Sequence, residues 1–296
     1  MQKIFTINGL AATLNNGAKI VGPNFPSKFL KLRYNDGIDP RTASNVVGSF
    51  VQLSSSPNIW LWIYNNTSWS YAFRSKNYSS ELLEVMDGNA TGVTNMSYMF
   101  SCEALTAVSI ANTSSCTNMR CMFQSCTSLS SISLLDTSRV TYMSWMFQGC
   151  SALTSVPLLN TSNVTDMYCM FRDCTSLITV PLFDTSSVTD MGEMFYGCSA
   201  LTSVPVFDTS LCENMNAMFV NCSSLTTVPL LNTSSCTDMA YIFANCYKVK
   251  SGALALYQQA STQTTPPTYH NQAFLFCGRD TTTGAAELAQ IPFGWK

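Results

Sequence analysis

Seven cysteines, Cys102, Cys126, Cys150, Cys174, Cys198, Cys222 and Cys246, stand 24 residues apart. A row of thiols at constant spacing could form disulfides, hold a metal or serve as nucleophiles. The total of 13 cysteines is odd. Neighbouring coils of a stacked chain would set Cβ atoms about 4.8 Å apart, beyond the ~3.5–4.5 Å that a disulfide prefers. No Cys-x-x-Cys pair exists, and Cys121-x4-Cys126 and Cys169-x4-Cys174 do not read as zinc pairs. At another repeat position Cys116, Cys212 and Cys236 replace Val140, Val164 and Val188, as a small buried hydrophobe would. The ladder therefore reads as structural, with no metal and no cofactor, since a reactive thiol needs exposure and a lowered pKa.

Other chemistry is sparse. His270 is the single histidine, and it lies in a Pro- and Thr-rich stretch with no triad partner. No glycine-rich phosphate loop occurs. Asp136, Asp184 and Asp208 share a column with Asn112, Asn160 and Asn232, which suits Asx turns better than a clustered calcium site. Glu81, Glu84 and Asp87 are the one place to seek paired carboxylates for glycan hydrolysis; they read as a solvated helix face ending at Asp87-Gly88. Sequons such as Asn163-Val164-Thr165 follow from the repeat itself. No catalytic residues are assigned, and the chain reads as a non-enzyme.

The elements behind this spacing repeat with it. One copy runs from Leu153 through Val156, Pro157, Leu158, Asn160, Val164, Met167, Met170 and Phe171 to Cys174, and the next from Leu177 to Cys198. A fixed period in the range of ~20–50 residues marks a solenoid. The first half of each copy alternates and predicts a short parallel strand with Leu177, Val180 and Leu182 inward. Pro157, Pro181, Pro205 and Pro229 each remove a ladder donor there. The second half places Met167, Met170, Phe171 and Cys174 at i, i+3, i+4 and i+7, which predicts one inward face of a short helical turn, with Tyr168, Cys169 and Arg172 outward. Thr165-Asp166 would cap it. Gly149, Gly197, Asn221 and Asn245 precede the cysteine, where the backbone must turn.

These units resemble the BspA-like leucine-rich-repeat surface proteins, in a Met-Phe-x-x-Cys variant, over roughly residues 90–250. The resemblance implies an α/β leucine-rich-repeat-type solenoid and a role in adhesion or recognition. The chain departs from the family in lacking its usual export and anchoring signals, and its Asx column falls one residue earlier than the common Asn. The segment from Cys277 to Pro292 looks like tails found in gut bacterial and prophage proteins, which implies a virion component.

Three parts are expected. Residues 1–65 form a small β-rich attachment or capping domain, with strands at Lys28–Tyr34 and Ile59–Tyr64 and turns at Asn35-Asp36-Gly37 and Ser56-Pro57-Asn58. Residues 66–250 form the solenoid, with Trp69–Phe73 as a degraded first copy. Residues 251–296 form a C-terminal cap, with a helix near Gly252–Ala260, an extended Ala273–Cys277 and a short helix near Ala285–Gln290.

Composition narrows the function. Hydrophobic residues make up 46% and charged residues 11%, against ~25% charged in a typical soluble protein. The net charge of -2 offers no basic stripe for nucleic acid. The N-terminal run, interrupted by Asn8-Gly9, makes a poor signal peptide, and no stretch reaches the ~20 apolar residues of a membrane span. Between copies the inward residues hardly change, while outward positions vary and collect Arg120, Trp145, Tyr168, Arg172, Tyr196 and Tyr241. Trp, Tyr and Arg dominate binding hot spots, so this ridge is the candidate surface for a cell-surface glycan or protein. The expected setting is a phage virion exterior or a bacterial surface, with other virion or surface proteins held through residues 1–65 and self-association possible. The alternatives are a structural or decorating virion component with the solenoid as spacer, and a glycan-active enzyme.

Overall fold

The computed structural model describes residues 3–7, 10–14, 20–21, 28–42, 47–73 and 81–296, the first three segments by backbone alone. Those three are β1 (Lys3–Ile7), β2 (Leu10–Leu14) and β3 (Ile20–Val21), an antiparallel sheet in sequence order. A second sheet has the order β5-β6-β4-β7-β8-β9, with β4 at Lys28–Tyr34, β5 at Ser49–Ser55, β6 at Asn58–Ile63, β7 at Leu82–Ala90, β8 at Ala107–Val108 and β9 at Ser131–Ile132. β4 pairs antiparallel with β6 and β7; β7, β8 and β9 are mutually parallel. One sheet thus runs from the N-terminal strands into the first coils. Glu84 lies on β7 rather than on a helix face, and its carboxylate pairs with Arg33 at 3.1 Å.

From β7 onward the chain winds as stacked coils, an open, mostly sheet-like α/β fold with few helices. Residues 91–250 contain no helix, which corrects the helical reading of the Met-Phe half. Alternate residues there donate to the next coil: Met167 N–H to Asp190 O (2.9 Å), Cys169 to Gly192 (2.9 Å), Phe171 to Met194 (2.9 Å) and Asp173 to Tyr196 (2.7 Å). The intervening amides close turns three residues back, as in Met170 to Met167 (3.1 Å) and Cys174 to Phe171 (3.1 Å). The remaining amide of this coil, that of Tyr168, donates to Asp166 Oδ1, so each donor from Met167 to Cys174 is used. The price is left-handed backbone at two positions per coil. One is the residue before the cysteine, where Gly149 and Gly197 have φ of 74° and 73° and Asp173, Asn221 and Asn245 of 59–63°. A positive φ at the third residue is what a type II turn requires. The i, i+3, i+4 spacing thus marks consecutive turns, which share their period of inward residues with a helix.

The Pro half is less tied. Ser109 and Ser133 donate to the preceding coil at 2.9 and 2.8 Å. The next four coils carry Pro157, Pro181, Pro205 and Pro229 at that position, and the named strands β8 and β9 belong to the two coils without Pro. The expected inward place of Leu182 is also corrected. Leu134, Leu158, Leu182, Val206 and Leu230 face solvent, and the following residues, Leu135, Leu159, Phe183, Phe207 and Leu231, are buried. The residue next to the Asx turn takes the inward place. Only where that residue is the small Ala111 does its predecessor, Ile110, turn in.

Inside, nine phenylalanine rings stack from Phe73 to Phe274, with centroids 4.9–6.2 Å apart and planes within 12°. Each such pair adds about 0.5–1.5 kcal/mol beyond the buried area. The cysteine column does more than fill space: the Cys174, Cys198, Cys222 and Cys246 thiols donate to the carbonyls of Phe147, Phe171, Phe195 and Phe219 at 3.0–3.1 Å. A buried threonine column does likewise, Thr161 Oγ1 reaching Asp184 O at 2.7 Å and Thr185 reaching Asp208 O at 2.8 Å.

Tyr269 to Cys277 forms a last coil of the same kind, accepting from Met239, Tyr241, Phe243 and Asn245; the extended strand expected at Ala273–Cys277 is replaced by turns. Its Phe274-x-x-Cys277 repeats Phe171-x-x-Cys174, displaced by the insertion of α1 (Ala253–Thr262). α2 (Thr282–Gln290) packs on α1, and its Glu287 accepts from the N–H groups of Gly252 (3.4 Å) and Leu254 (3.1 Å). The outermost rings of the Phe ladder meet tryptophans: Trp62 stands 4.9 Å from Phe73, and the Trp295 carbonyl accepts from Phe274 N–H.

Two expectations test this arrangement by urea unfolding. Leu182→Ala changes stability by no more than about 0.5 kcal/mol, whereas Phe183→Ala costs about 3–5 kcal/mol; equal effects would refute the observed register. All 13 cysteines are free and buried, and burial pushes Cys116 up to about 11 and Cys126 up to about 12. Their stabilising contribution is complete below the ordinary thiol pKa of ~8.5 and is lost as pH rises towards these folded values, because the unfolded chain then releases protons that the folded chain retains. Each buried thiol steepens the loss by up to about 1.4 kcal/mol per pH unit. Melting temperature is therefore flat near neutrality and falls sharply above pH ~9; a flat profile through pH ~11 would contradict buried thiols.

Candidate recognition ridge

The outward side of the Met-Phe half is built by the second left-handed position in each coil. Tyr71, Tyr98, Cys121, Trp145, Cys169, Glu193, Ala217 and Tyr241 occupy it in succession, all with φ of 53–63°. Left-handed backbone costs about 1–2 kcal/mol for a residue with a side chain. It is sustained because each of these amides is tied to the next coil, as in Trp145 N–H to Tyr168 O at 2.9 Å. The residue before this column varies as Arg120, Ser144, Tyr168, Gly192, Asn216 and Ala240, and a third column holds Gln124, Gln148, Arg172, Tyr196, Val220 and Ala244.

An Asx residue starts the turn in most coils, Tyr142 taking its place in the coil of Trp145. Asp166 Oδ1 accepts the Tyr168 amide at 2.9 Å, and Asp190, Asn214 and Asp238 accept those of Gly192, Asn216 and Ala240 at the same distance. Thr165-Asp166 thus caps a turn, where the sequence suggested a helix. The Asp190 carboxyl is raised above its usual range, chiefly by burial.

Four of the expected ridge residues converge in adjacent coils. The Trp145 and Tyr168 rings meet edge to face at 5.5 Å, and the Arg172 guanidinium lies over Tyr196 at 4.4 Å. Glu193 joins the two pairs: it accepts the Tyr168 hydroxyl at 2.9 Å and forms an ion pair with Arg172. Arg172 also reaches Asp173 at 3.4 Å. Cys169 sits beneath, its thiol directed at Glu193 and pushed up to about 11 by burial. Trp145, Tyr168, Arg172 and Tyr196 are all half-buried, so the cluster is braced and still reached by solvent.

Arg120 and Tyr241 stay apart from this cluster, and both are exposed. The ridge is not uniformly outward either. Cys121, Ser144, Cys169, Gly192, Ala217, Val220, Ala240 and Ala244 are buried, because larger neighbours fold over them. Around Ala217, Val220 and Ala244, Tyr196 and Leu275 close a small apolar patch.

Sequence reasoning missed three members. Glu193 was one of many variable positions; its role as the bridge depends on contacts between coils. Tyr71 and Tyr98 stack at 4.9 Å with planes 6° apart and extend the ridge towards the N-terminus. A signal for Tyr98 existed: Met96-Ser97-Tyr98-Met99-Phe100 matches Met143-Ser144-Trp145-Met146-Phe147. His270 lies at the C-terminal end, its ring stacked on Trp295 at 4.1 Å. Among the described residues no three His, Cys, Asp or Glu side chains gather to hold a metal ion.

Residues 67–180 and 154–257 match the family described as "Mycoplasma protein of unknown function, DUF285". No curated protein matches the chain. Three solved leucine-rich-repeat proteins are similar in part. The Treponema (T. pallidum) protein is 20% identical, with 70% of this chain and 88% of that chain covered and a TM-score of 0.43. The Eubacterium ventriosum protein is 16% identical, covering 59% and 63% with a TM-score of 0.32. The Bacteroides ovatus protein is 14% identical, covering 84% and 91% with a TM-score of 0.25.

The bridging role of Glu193 is measurable by a double-mutant cycle of Glu193→Ala with Tyr168→Phe. Groups in one network couple by about 0.5–3 kcal/mol, and a value at the low end is expected for a half-exposed cluster. The same cycle with Tyr98→Phe, which lies four coils from Glu193, gives no coupling; additivity in both cycles would dissolve the cluster.

Proposed function

The chain belongs to the family described as Mycoplasma protein of unknown function, DUF285, and we propose that it is a non-enzymatic recognition protein whose ridge binds a cell-surface glycan or protein. The observation that carries this reading is the braced cluster of Trp145, Tyr168, Arg172 and Tyr196 around Glu193. Rings held by their neighbours offer contact area at low entropic cost, and an aromatic face beside carboxylate and guanidinium groups suits both sugar rings with their hydroxyls and mixed protein surfaces.

The setting we propose is the exterior of a bacterial cell or of a phage particle, in line with the resemblance of the repeats to BspA-like surface proteins. Among the described residues no helix is long and apolar enough to cross a membrane. A second reading, a structural or decorating component with the solenoid as spacer, draws on the sheet that continues from β5 through β9 and would carry the first coils rigidly from their base.

The test is binding of the labelled full-length chain to intact bacterial cells and to a glycan array, against the Trp145→Ala/Tyr168→Ala/Tyr196→Ala variant. Loss of three hot-spot side chains lowers apparent affinity by at least about tenfold, while thermal melting confirms a folded solenoid. Protease treatment of the cells separates a protein receptor from a glycan. Undiminished binding by the folded variant would remove the ridge as the site, and absence of binding by the parent chain would favour the spacer.

A further inference from the structure

The ridge between residues 166 and 193 carries one guanidinium, Arg172, and four carboxylates, Asp166, Asp173, Asp190 and Glu193. How these charges are spent decides what the cluster can bind. Arg172 lies over the Tyr196 ring at 4.4 Å. Its Nη1 meets Glu193, and its Nε meets Asp173 at 3.4 Å. Arginine grips an acidic group best with two parallel N–H donors. Each of the two forks of a guanidinium, Nε with Nη2 and Nη1 with Nη2, here shares an atom with a contact already made. Glu193 is only 19% exposed, so this partner is built into the cluster.

The carboxylates are committed as well. Glu193 also accepts the Tyr168 hydroxyl at 2.9 Å and faces the Cys169 thiol at 3.8 Å. Asp166 accepts the Tyr168 amide, and Asp190 Oδ1 accepts from the Gly192 amide at 2.9 Å and from Asn214 Nδ2 at 3.0 Å. Four carboxylates around one guanidinium leave a surplus of negative charge, which repels an acidic ligand. The place that a cationic ligand would seek, a ring face between two carboxylates, is filled by Arg172 itself.

The columns show that this pairing is local. Among the left-handed positions Tyr71, Tyr98, Cys121, Trp145, Cys169, Glu193, Ala217 and Tyr241, Glu193 alone is charged. Among Gln124, Gln148, Arg172, Tyr196, Val220 and Ala244, Arg172 alone is charged. The single charges of two columns stand in adjacent coils and meet. Beyond them the cluster offers the half-buried rings of Trp145, Tyr168 and Tyr196 and the amides of Gln124 and Gln148, joined Nε2 to Oε1 at 3.0 Å. An amide both donates and accepts, as a sugar hydroxyl does. The negative face of an aromatic ring suits the C–H groups on the flat side of a sugar.

Resting on the reading of the ridge as a recognition surface, we propose that its ligand is an uncharged glycan, and that Glu193 is the specificity-determining residue that excludes acidic ones. Glu193 takes the position beside Arg172 that the carboxylate of a sialic or uronic acid would take.

The experiment sets the full chain against an array of neutral oligosaccharides and the same cores bearing sialic or uronic acid. The parent chain holds the neutral glycans at least about tenfold more tightly than their acidic counterparts. Glu193→Gln, of the same shape without the charge, shifts this ratio by about tenfold towards the acidic glycans, and the binding it gains weakens as salt is raised. Asp173→Asn, at the more exposed partner of Arg172, shifts the ratio in the same direction and decides alone should Glu193→Gln fail to fold by thermal melting. Trp145→Ala lowers binding of both classes. A ratio indifferent to both charge variants overturns the role of Glu193. A parent chain that prefers acidic glycans, or that binds only polylysine or a protease-sensitive cell-surface protein, and loses that binding with Trp145→Ala, overturns the inference while the ridge stands as the site. Neutral-glycan binding that Trp145→Ala/Tyr168→Ala/Tyr196→Ala leaves intact overturns the ridge reading itself, and the inference with it.

Discussion

Each coil is held to the next by alternate amides of the Met-Phe half, and this ladder dictates most of what the chain does elsewhere. For Met167, Cys169, Phe171 and Asp173 to donate upward together, successive coils must superpose residue by residue. Superposition stacks identical side chains, so the interior becomes columns of Phe, Met and Cys at one spacing. A ring in such a column has flat neighbours above and below, and a thiol finds the carbonyl of a Phe one coil down. A cysteine in this place fills a small space and donates a hydrogen bond; alanine does only the first. The low charge of the chain has the same origin. Its Ser, Thr, Asn and Asp side chains are absorbed in turns and coil-to-coil bonds, as at Thr161, Asp184 and Ser186.

Much of this was legible because a column writes the same residue at every repeat. The period, the buried cysteines, the Asx turns at Asp136, Asn160, Asp184, Asp208 and Asn232, and the two C-terminal helices could be read from residue types. What was not legible depends on backbone geometry that two structures share as a pattern. Inward residues at i, i+3, i+4 and i+7 describe a helix, and equally a run of turns with left-handed residues at Cys169 and Asp173. The difference lies in where the amides go, and inter-coil bonds leave no local signature. The inward place of Phe183 over Leu182 was hidden for a related reason. Leu134 faces out and Leu135 in although their coil carries Ser133 in place of proline, so the turn at the Asx residue, which local alternation does not reveal, sets the inward place. The last coil escaped because α1 is inserted before it, although Phe274 and Cys277 keep their relative spacing. Of the candidate site, the residue types were visible in the variable positions, whereas Glu193 acquires its role only when Tyr168 and Arg172 come to lie on either side of it.

A one-dimensional stack also explains why variation is confined as it is. Each coil contacts only its neighbours, so stability is close to a sum of coil terms and interface terms. A substitution inside one column disturbs two interfaces at once, while a substitution on the ridge disturbs none unless its neighbours lean on it. The outward columns can therefore change from Trp145 to Cys169 to Glu193 while the Phe and Cys columns stay fixed. The two ends carry the exceptions. There the stacked face has no successor: the Trp62 ring meets Phe73, and the Trp295 carbonyl takes the Phe274 amide that a next coil would have bound.

The ridge and the stripe of exposed aliphatics from Leu134 to Leu230 arise from opposite departures from the same ladder. On the ridge alternate amides are engaged between coils, and the constraint appears as left-handed conformation at the residues that project; the direction of their side chains is set by these backbone bonds. On the stripe the residue beside the Asx turn takes the inward place, with proline two residues before it in four coils and Ser133 in the fifth, and the aliphatic residue that precedes it is left outside. A chain selected only for a soluble stack could place Ser or Thr at Leu158, Leu182, Val206 and Leu230 without touching the core, since Phe183 and its equivalents already fill it. The retention of an aliphatic at all five positions from Leu134 to Leu230, each beside an Asx turn, is thus not required by folding. That separation between what the stack needs and what the surface carries lets the outward columns vary without cost to the core.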